Sequence, residues 1–156
     1  MLGVVKKSKL YIPVKKAGYV RLAMKKSPLK RKSKSEIRKI QDKLWQECRR
    51  IVKARYIRNA KYYCFTCSKE IEGAGCQLGH FIPNASGGAL LRYNLDNLRL
   101  QCYYCNINLG GNGAEFYRRM VLENGQDFVD KLFSLKGQTV KAHDHYLYLF
   151  EEYQKL

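Results

Sequence analysis

Two Cys-x-x-Cys pairs, Cys64/Cys67 and Cys102/Cys105, constrain this chain more than any other feature of its sequence. Each pair puts two thiolates on one tight turn, and four thiolates complete the tetrahedral shell that structural zinc prefers. A simple zinc ribbon separates its pairs by about 15–20 residues, whereas the interval from Cys67 to Cys102 has room for a further hairpin. The sequence therefore predicts a structural zinc site that encloses an additional functional element.

Three polar residues in or beside this interval form a candidate catalytic group. A zinc ion held by four thiolates has no open coordination position, so it cannot be the catalytic metal. His80 lies at the end of a predicted strand over residues 76–82, and Asn97 and Asn106 lie near the second cysteine pair. A neutral imidazole is a general base near pH 7. We therefore interpret His80 as a catalytic candidate, with a purely structural histidine as the alternative.

Positive charge is concentrated in the first part of the chain. Residues 1–61 hold 21 Lys/Arg and three acidic residues, whereas the remaining 95 hold nine Lys/Arg and ten acidic residues. A segregated basic region is typical of a protein that binds a polyanion, most simply nucleic acid; a solubilising face and an anionic membrane surface are the alternatives. We expect residues 1–33 to form a basic arm that contacts phosphates, with Lys30, Arg31 and Lys32 among the contacts.

A helix is predicted over residues 34–58. Its apolar stripe recurs every three or four residues and consists of Ile37, Ile40, Leu44, Cys48 and Ile51. The opposite face carries the basic residues Lys39, Lys43, Arg50 and Lys53. We expect the stripe to pack on the body of the protein and the basic face to meet DNA. A solvated surface helix and a dimer seam are the alternatives, and Cys48 is expected to be a buried thiol.

The rest of the chain is predicted to form a core over residues 59–113 and a helical region over residues 114–156. In the core we expect Cys76 to be a buried strand thiol, Ser86–Gly88 a turn and residues 90–100 an extended segment. Three helices are predicted near 114–123, 128–137 and 140–153. His143 and His145 are expected to have surface or capping roles.

No apolar run reaches the roughly 18–20 residues of a membrane span. We therefore expect a cytoplasmic protein without a membrane partner. In that reducing compartment, the six cysteines favour metal binding or free thiols over disulfides.

The cysteine pairs, the Gly79-His80 step, the Asp96-Asn97-Leu98 segment and Asn106 together resemble the HNH, or ββα-metal, nuclease module with its treble-clef zinc. The pieces GHF, LRYNLDN and QCYYCN resemble more closely the phage recombination endonuclease family called NinG or Rap. This likeness covers about two-thirds of the chain. Phage endonuclease VII is similar at the second cysteine pair, where an asparagine also follows the last cysteine.

The resemblance implies an α+β fold and a role for each polar residue. The fold would be a small zinc-stapled ββα-metal core, flanked by the basic N-terminal helix and the C-terminal helical region. His80 matches the general base that activates water, and Asn106 matches the ligand of a single catalytic Mg²⁺ or Mn²⁺ ion. Asn97 matches the asparagine that fixes the loop and orients the histidine. One departure is Gly79, since many such enzymes have an aspartate there; Glu115 or Asp96 could supply a carboxylate instead.

The predicted function is a Mg²⁺-dependent endodeoxyribonuclease that cuts branched recombination intermediates such as Holliday junctions. A symmetric junction needs two matched cuts, so a homodimer is expected. Two alternatives stay open at this point. One is an HNH nuclease that nicks duplex DNA without structural preference, and the other is a non-catalytic zinc-finger protein that binds DNA.

Overall fold

The computed structural model describes residues 34–72 and 75–156. Within these ranges, helices and two small antiparallel sheets alternate along the chain, which confirms the predicted α+β class. The predicted basic arm over residues 1–33, including Lys30, Arg31 and Lys32, lies outside the described residues. None of the helices in the described ranges has the length and apolar character needed to cross a membrane.

The first helix, α1 (Lys34–Tyr56), buries the apolar stripe that was predicted for it. Its buried residues are Leu44, Cys48, Ile51 and Val52. The helix packs against the C-terminal helix α5 (Ala142–Tyr153) and against strands of both small sheets. The stripe therefore packs within the chain, as predicted. Val52 extends it because residues 48 and 52 lie one turn apart on the same face.

Five short strands form two sheets. Strands β1 (Ile57–Arg58), β2 (Lys61–Tyr63) and β3 (Glu70–Ile71) make a three-stranded antiparallel sheet in chain order. Strands β4 (Gln77–His80) and β5 (Leu98–Gln101) pair with each other, antiparallel. In this second sheet Gln77 lies opposite Gln101, and His80 lies opposite Leu98. The hairpin β4–β5 thus sets the positions of the candidate catalytic residues.

The segment between β4 and β5 differs from the prediction. Residues 84–92 form helix α2 (Asn84–Arg92), which includes the Ser86–Gly88 step expected to be a turn. A short 3₁₀ turn (Leu95–Asn97) follows, and the extended backbone expected from residue 90 begins only at Leu98. Tertiary packing overrides the local glycine signal because Leu91 is fully buried. The break is confined to Gly88, whose φ of +69° lies in the region that favours glycine.

Three helices complete the chain, as predicted: α3 (Gly113–Asn124), α4 (Gln126–Ser134) and α5. Helices α3 and α4 enclose a second apolar cluster formed by Ile82, Leu91, Phe116, Met120, Val129 and Leu132. The larger cluster joins α1, the hairpin β4–β5 and α5. The hairpin therefore contributes residues to one cluster, while the segment that follows β4 anchors in the other.

Candidate functional site

The four predicted zinc ligands come together in one group, the four-cysteine cluster. Their Sγ atoms all lie within 4.8 Å of one another, and Cys67 Sγ is 3.8 Å from Cys102 Sγ. Cys64 and Cys67 lie in the turn between β2 and β3, and Cys102 and Cys105 lie after β5, where a π-helical turn spans Tyr104–Asn108. This compact all-sulfur donor set can hold a structural metal ion such as zinc.

The thiols of this cluster are held in unlike electrostatic environments. Burial raises the pKa of Cys64, but the Thr66 hydroxyl and neighbouring backbone N–H groups outweigh it and lower the pKa to about 6. Burial and the nearby Cys64 sulfur raise the pKa of Cys67 to about 12, and burial also raises the pKa of Cys102. A thiolate at Cys64 therefore opposes further deprotonation of the cluster. A divalent cation would offset that repulsion.

Cys48 and Cys76 lie outside the four-cysteine cluster, as expected. Both are buried in the larger apolar cluster. The Cys48 thiol donates a weak hydrogen bond of 3.6 Å to the Tyr93 carbonyl, and burial raises the pKa of Cys48 to about 12. Burial also raises the pKa of Cys76. Both residues are core thiols, which confirms the prediction made for them.

His80 ends β4 with its ring in a defined orientation. Its Nε2 lies 2.8 Å from the Arg92 carbonyl oxygen. Because a carbonyl only accepts hydrogen bonds, Nε2 carries the ring proton and Nδ1 holds the free lone pair. The ring stacks on Trp45 of α1, with centroids 5.6 Å apart and planes 5° from parallel. Burial lowers the pKa of His80, so the ring is neutral at pH 7.

Asn97 is fully buried just before β5 and ties three backbone groups together. Its Oδ1 accepts a hydrogen bond of 2.7 Å from the Ile82 N–H. Its amide nitrogen donates to the carbonyl oxygens of Ile82 and Leu91, at 3.0 and 3.1 Å. These bonds hold the segment that follows His80 against the end of α2. The predicted orienting role of Asn97 requires contacts of this kind.

Asn106 lies in the π-helical turn, half-buried, and its amide nitrogen donates a 2.8 Å hydrogen bond to Gln77 Oε1. Its Oδ1 is then the atom that can bind a cation. Gln77 precedes His80 by three residues on β4, a span of about 10 Å in an extended strand. The structure therefore brings Asn106 to the same hairpin as His80, near the opposite end of β4.

Gly79 stands where many HNH enzymes have an aspartate. The Gln101 side chain fills the space beside it. A Cβ at residue 79 would lie 1.8 Å from Gln101 Oε1. The Gln101 amide nitrogen donates to Thr66 Oγ1 at 3.1 Å and to the Gly111 carbonyl at 2.8 Å. Its Oε1 is buried and has no hydrogen-bond partner within the described residues. Gln77 and Gly79 share one face of β4, and the side chains of Asn106 and Gln101 contact that face. By the same alternation, the His80 side chain projects from the other face. Amide oxygens such as Asn106 Oδ1 are hard donors of the kind that Mg²⁺ accepts.

Glu115, considered as a source of the missing carboxylate, is already engaged. Its oxygens accept hydrogen bonds of 2.6 to 2.8 Å from Arg118 and Arg119. These two guanidinium groups, Arg118 first, hold the pKa of Glu115 at about 2. Asp96 lies in the 3₁₀ turn before β5. Within the described residues, the four-cysteine cluster is the grouping of His, Cys, Asp and Glu side chains that could hold a metal.

Comparison with known proteins assigns the chain to a family. The family described as Bacteriophage Lambda NinG protein matches residues 6–156 of the 156-residue chain. The chain belongs to the NinG family. Membership of the NinG family suggests a recombination-related role in a bacteriophage. No curated protein and no solved structure matches the chain.

In this NinG family member, the basic residues predicted to contact DNA differ in their surroundings. Lys39 and Lys43 are exposed on the first half of α1. Arg50, in contrast, donates to Glu47 at 2.8 Å and to the Tyr153 carbonyl at 3.0 Å, so it also joins α1 to α5. The Lys53 ammonium lies 5.6 Å above the Tyr62 ring. Lys39 and Lys43 are thus the described members of the set with the most accessible charge.

A cleft of about 360 Å³ opens beside His80 and was not predicted. Helix α1 contributes four of its lining residues, Arg38, Gln41, Asp42 and Trp45, and the far wall is formed by Asn84, Arg92 and Tyr93. We refer to this space as the His80 cleft. Gln41, Asp42 and Trp45 follow Arg38 by three, four and seven residues, so the four side chains share one face of α1, beside the apolar stripe. The sequence contained that signal, but it did not show which element this face would meet.

His143 and His145 lie in the first turn of α5, both half-buried. His143 Nδ1 is 3.1 Å from an Asp144 carboxylate oxygen. The Nε2 atoms of both residues are buried without a hydrogen-bond partner in the described part of the chain. Burial lowers the pKa of His145. Neither residue takes part in a metal-capable grouping there, so the two histidines are separate from the candidate site.

Proposed function

We propose that this NinG family member is a metal-dependent endonuclease that hydrolyses phosphodiester bonds in branched recombination intermediates such as Holliday junctions. The observation that carries the proposal is the state of His80. Its Nε2–H donates a hydrogen bond to the Arg92 carbonyl, which leaves the Nδ1 lone pair free. Because burial lowers its pKa, the ring is neutral and ready to accept a proton at neutral pH.

In the proposed reaction, His80 Nδ1 takes a proton from a water molecule whose oxygen attacks the phosphorus atom. The bond from phosphorus to the 3′ oxygen breaks on the opposite side, and that oxygen takes a proton from solvent water, which gives a 5′ phosphate and a 3′ hydroxyl. The Arg92 carbonyl stabilises the imidazolium that forms, because it accepts a hydrogen bond from Nε2–H throughout the reaction. Asn97 holds the chain on both sides of this arrangement, and Trp45 restricts rotation of the ring.

Two metals have different places in the proposal. The four-cysteine cluster would hold structural zinc, which keeps the hairpin β4–β5 rigid. Asn106 Oδ1 would hold the catalytic Mg²⁺ or Mn²⁺. When bound, that ion supplies charge stabilisation for the phosphate and the leaving oxygen. An amide is a weak ligand, so several waters and the DNA phosphate would complete its coordination.

Charge and family support the proposed substrate. The chain has a formal net charge of +17, which favours a polyanion partner. Recombination in a bacteriophage produces branched DNA, and this is the part of the proposal that rests on family membership. A symmetric four-way junction requires two coordinated cuts, so the proposed active form is a homodimer with one site per subunit.

A cleavage assay with matched histidine variants tests the proposal. The wild type is expected to cut a four-way DNA junction when Mg²⁺ is present, and His80→Ala to cut about 10²- to 10⁴-fold more slowly. His143→Ala serves as the control and is expected to cut at nearly the wild-type rate. DNA affinity should be similar for all three proteins, which separates a chemical defect from a binding defect.

The outcomes distinguish the alternative functions. Equal cutting of the junction and of a linear duplex of the same sequence would remove branch preference and leave a general nicking enzyme. Tight DNA binding by a zinc-loaded wild type that cuts neither substrate would contradict catalysis and favour a DNA-binding protein. An undiminished rate for His80→Ala would exclude His80 as the general base.

A further inference from the structure

The His80 cleft contains two guanidinium groups without carboxylate partners. Arg38 enters from α1, and Arg92 enters from the end of α2. No ion pair to either side chain occurs within residues 34–72 and 75–156, although the Arg92 guanidinium lies 5.4 Å above the Tyr93 ring. Other arginines in the same ranges do pair with carboxylates, namely Arg50, Arg99, Arg118 and Arg119. The cleft thus presents positive charge that the fold leaves available.

The same residues that line this cleft also hold the candidate base. The Arg92 backbone carbonyl accepts a hydrogen bond from His80 Nε2–H, while the Arg92 side chain lines the cleft. Trp45 follows Arg38 by seven residues on α1, so both lie on one face of the helix, and Trp45 stacks on the His80 ring. An anion held between the two guanidinium groups would therefore lie next to His80.

The remaining lining groups suit a phosphate. Gln41 and Asn84 offer amide N–H donors, and Asp42 contributes the acidic group of the lining. With His80 neutral, two guanidinium groups and one carboxylate leave the cleft with a charge of +1. Guanidinium groups match phosphate oxygens with paired N–H donors, whereas a lysine-rich surface would attract phosphate without fixing its orientation.

We propose that Arg38 and Arg92 bind a backbone phosphate of the DNA strand in the His80 cleft, which makes α1 a part of the active site. The assignment rests on the proposed nuclease function where it identifies the bound phosphate as belonging to the strand that is cut. Neither arginine was among the basic residues predicted to contact DNA. Arg38 and Arg92 act by holding the phosphate, and His80 remains the proton acceptor.

The single tryptophan of the chain reports on this cleft directly. Trp45 is the only tryptophan in the sequence, so intrinsic fluorescence follows occupancy of the His80 cleft. The probe is a 5′-phosphorylated DNA dinucleotide, titrated at constant ionic strength without added Mg²⁺. We expect a saturable change in Trp45 emission for the wild type. Arg38→Ala and Arg92→Ala should each weaken the affinity about tenfold or more, as expected for loss of a charge-assisted hydrogen bond.

Arg55→Ala is the matched control. Arg55 is exposed near the other end of α1, and its substitution removes the same charge. It should change the affinity by less than about twofold. The Arg92→Ala variant keeps the backbone carbonyl that orients His80, so it tests the guanidinium alone. Arg92→Lys restores the charge without the paired donors and should recover only part of the affinity. It also replaces Arg92→Ala if thermal melting shows that the alanine variant is not folded.

Single-turnover cleavage at saturating protein supplies a second measurement. Arg38→Ala and Arg92→Ala should cut a four-way junction at least about tenfold more slowly than Arg55→Ala. Titrations and rates that match those of Arg55→Ala would overturn the assignment. If the wild type cuts no DNA while its Trp45 titration still depends on both arginines, the phosphate site stands and the proposed function fails. If the wild type cuts and both arginine variants behave as the control, only the phosphate site fails.

Discussion

The hairpin β4–β5 separates two regions of contrasting chemistry, the four-cysteine cluster and the His80 cleft. The cluster is compact, and its four sulfur atoms leave a bound metal no open position. The cleft is open and polar, and it contains the His80 ring and two guanidinium groups that have no carboxylate partner among the described residues. The cluster can stabilise the fold by holding a metal ion, whereas the cleft is where the proposed function places the substrate.

A chain of contacts connects the two regions. Cys64 Sγ lies 3.4 Å from Thr66 Oγ1, which accepts a hydrogen bond from the Gln101 side chain. Gln101 in turn lies against Gly79, the residue next to His80. The four-cysteine cluster can thus support the cleft through β5 without taking part in chemistry. Changes on the cysteine side should therefore affect both regions, and changes in the cleft should leave the cluster intact.

The largest expected effect comes from breaking the four-cysteine cluster. Cys102→Ser, or chelation of the wild type, should unfold the region around the hairpin. Structural zinc contributes about 10–16 kcal/mol in small modules, which equals or exceeds the total stability of a typical domain, about 5–15 kcal/mol. Thermal melting followed by circular dichroism, with and without chelator, measures the effect.

Cys76→Ser is the control for that experiment, since Cys76 is more fully buried than Cys102 but lies outside the cluster. It should lower the free energy of unfolding by only about 1–3 kcal/mol, the cost of a buried hydroxyl. The variant should still respond to chelator. A melting transition of the wild type that chelation does not move would contradict the four-thiolate assignment.

An intermediate effect is expected at Gly79, where the two regions meet. Gly79→Ala places a methyl group 1.8 Å from Gln101 Oε1, so it should destabilise the fold by about 1–3 kcal/mol through overpacking. Gly113→Ala is the matched control, because a Cβ there meets nothing within 4 Å. It should be neutral or slightly stabilising. Urea denaturation of both variants measures the difference.

A double variant sharpens this prediction. Adding Gln101→Ala removes the side chain that collides with the new methyl group, so the double variant should be more stable than the sum of the single effects implies. Additive effects would show that the cost of Gly79→Ala does not come from contact with the Gln101 side chain.

The smallest expected effect is a change in pH dependence within the cleft. The His80 pKa is lowered by burial, so folded protein binds fewer protons than unfolded protein below about pH 6.5. Stability should therefore decline as the pH falls below that value, and the lowered pKa of His145 adds to this decline. Cleavage should decline at the lower pH at which His80 of the folded protein becomes protonated. Trp45→Leu uncovers the His80 ring, which should raise its pKa and move the acid limb of the cleavage rate to higher pH.

Imidazole signals followed by NMR give the His80 pKa directly. Tyr148→Leu changes an exposed aromatic residue on α5 and should leave that pKa unchanged. An acid limb that stays in place in Trp45→Leu, while the His80 signal shifts, would show that another group controls the rate. A signal that does not shift would show that stacking on Trp45 does not bury the ring.

The features that could be predicted from sequence depend on short-range spacing. The Cys-x-x-Cys pairs lie on tight turns whatever surrounds them, so the ligand set of the four-cysteine cluster was predictable. Helices α1, α3, α4 and α5 were predictable because the apolar periodicity of a helix is local. The placement of His80, Asn97 and Asn106 in or beside one hairpin followed from the same spacing, although their catalytic roles remain proposals.

Tertiary structure alone decided the features that depend on contacts between distant segments. The Ser86–Gly88 step is helical because Leu91 is buried by other elements, against the local turn signal. The tautomer of His80 depends on the Arg92 carbonyl, and the environment of Gly79 depends on the Gln101 side chain. The His80 cleft exists because α1 packs beside a hairpin that begins more than 20 residues after it ends. Residue spacing determines turns and helix faces, but only packing decides which faces meet.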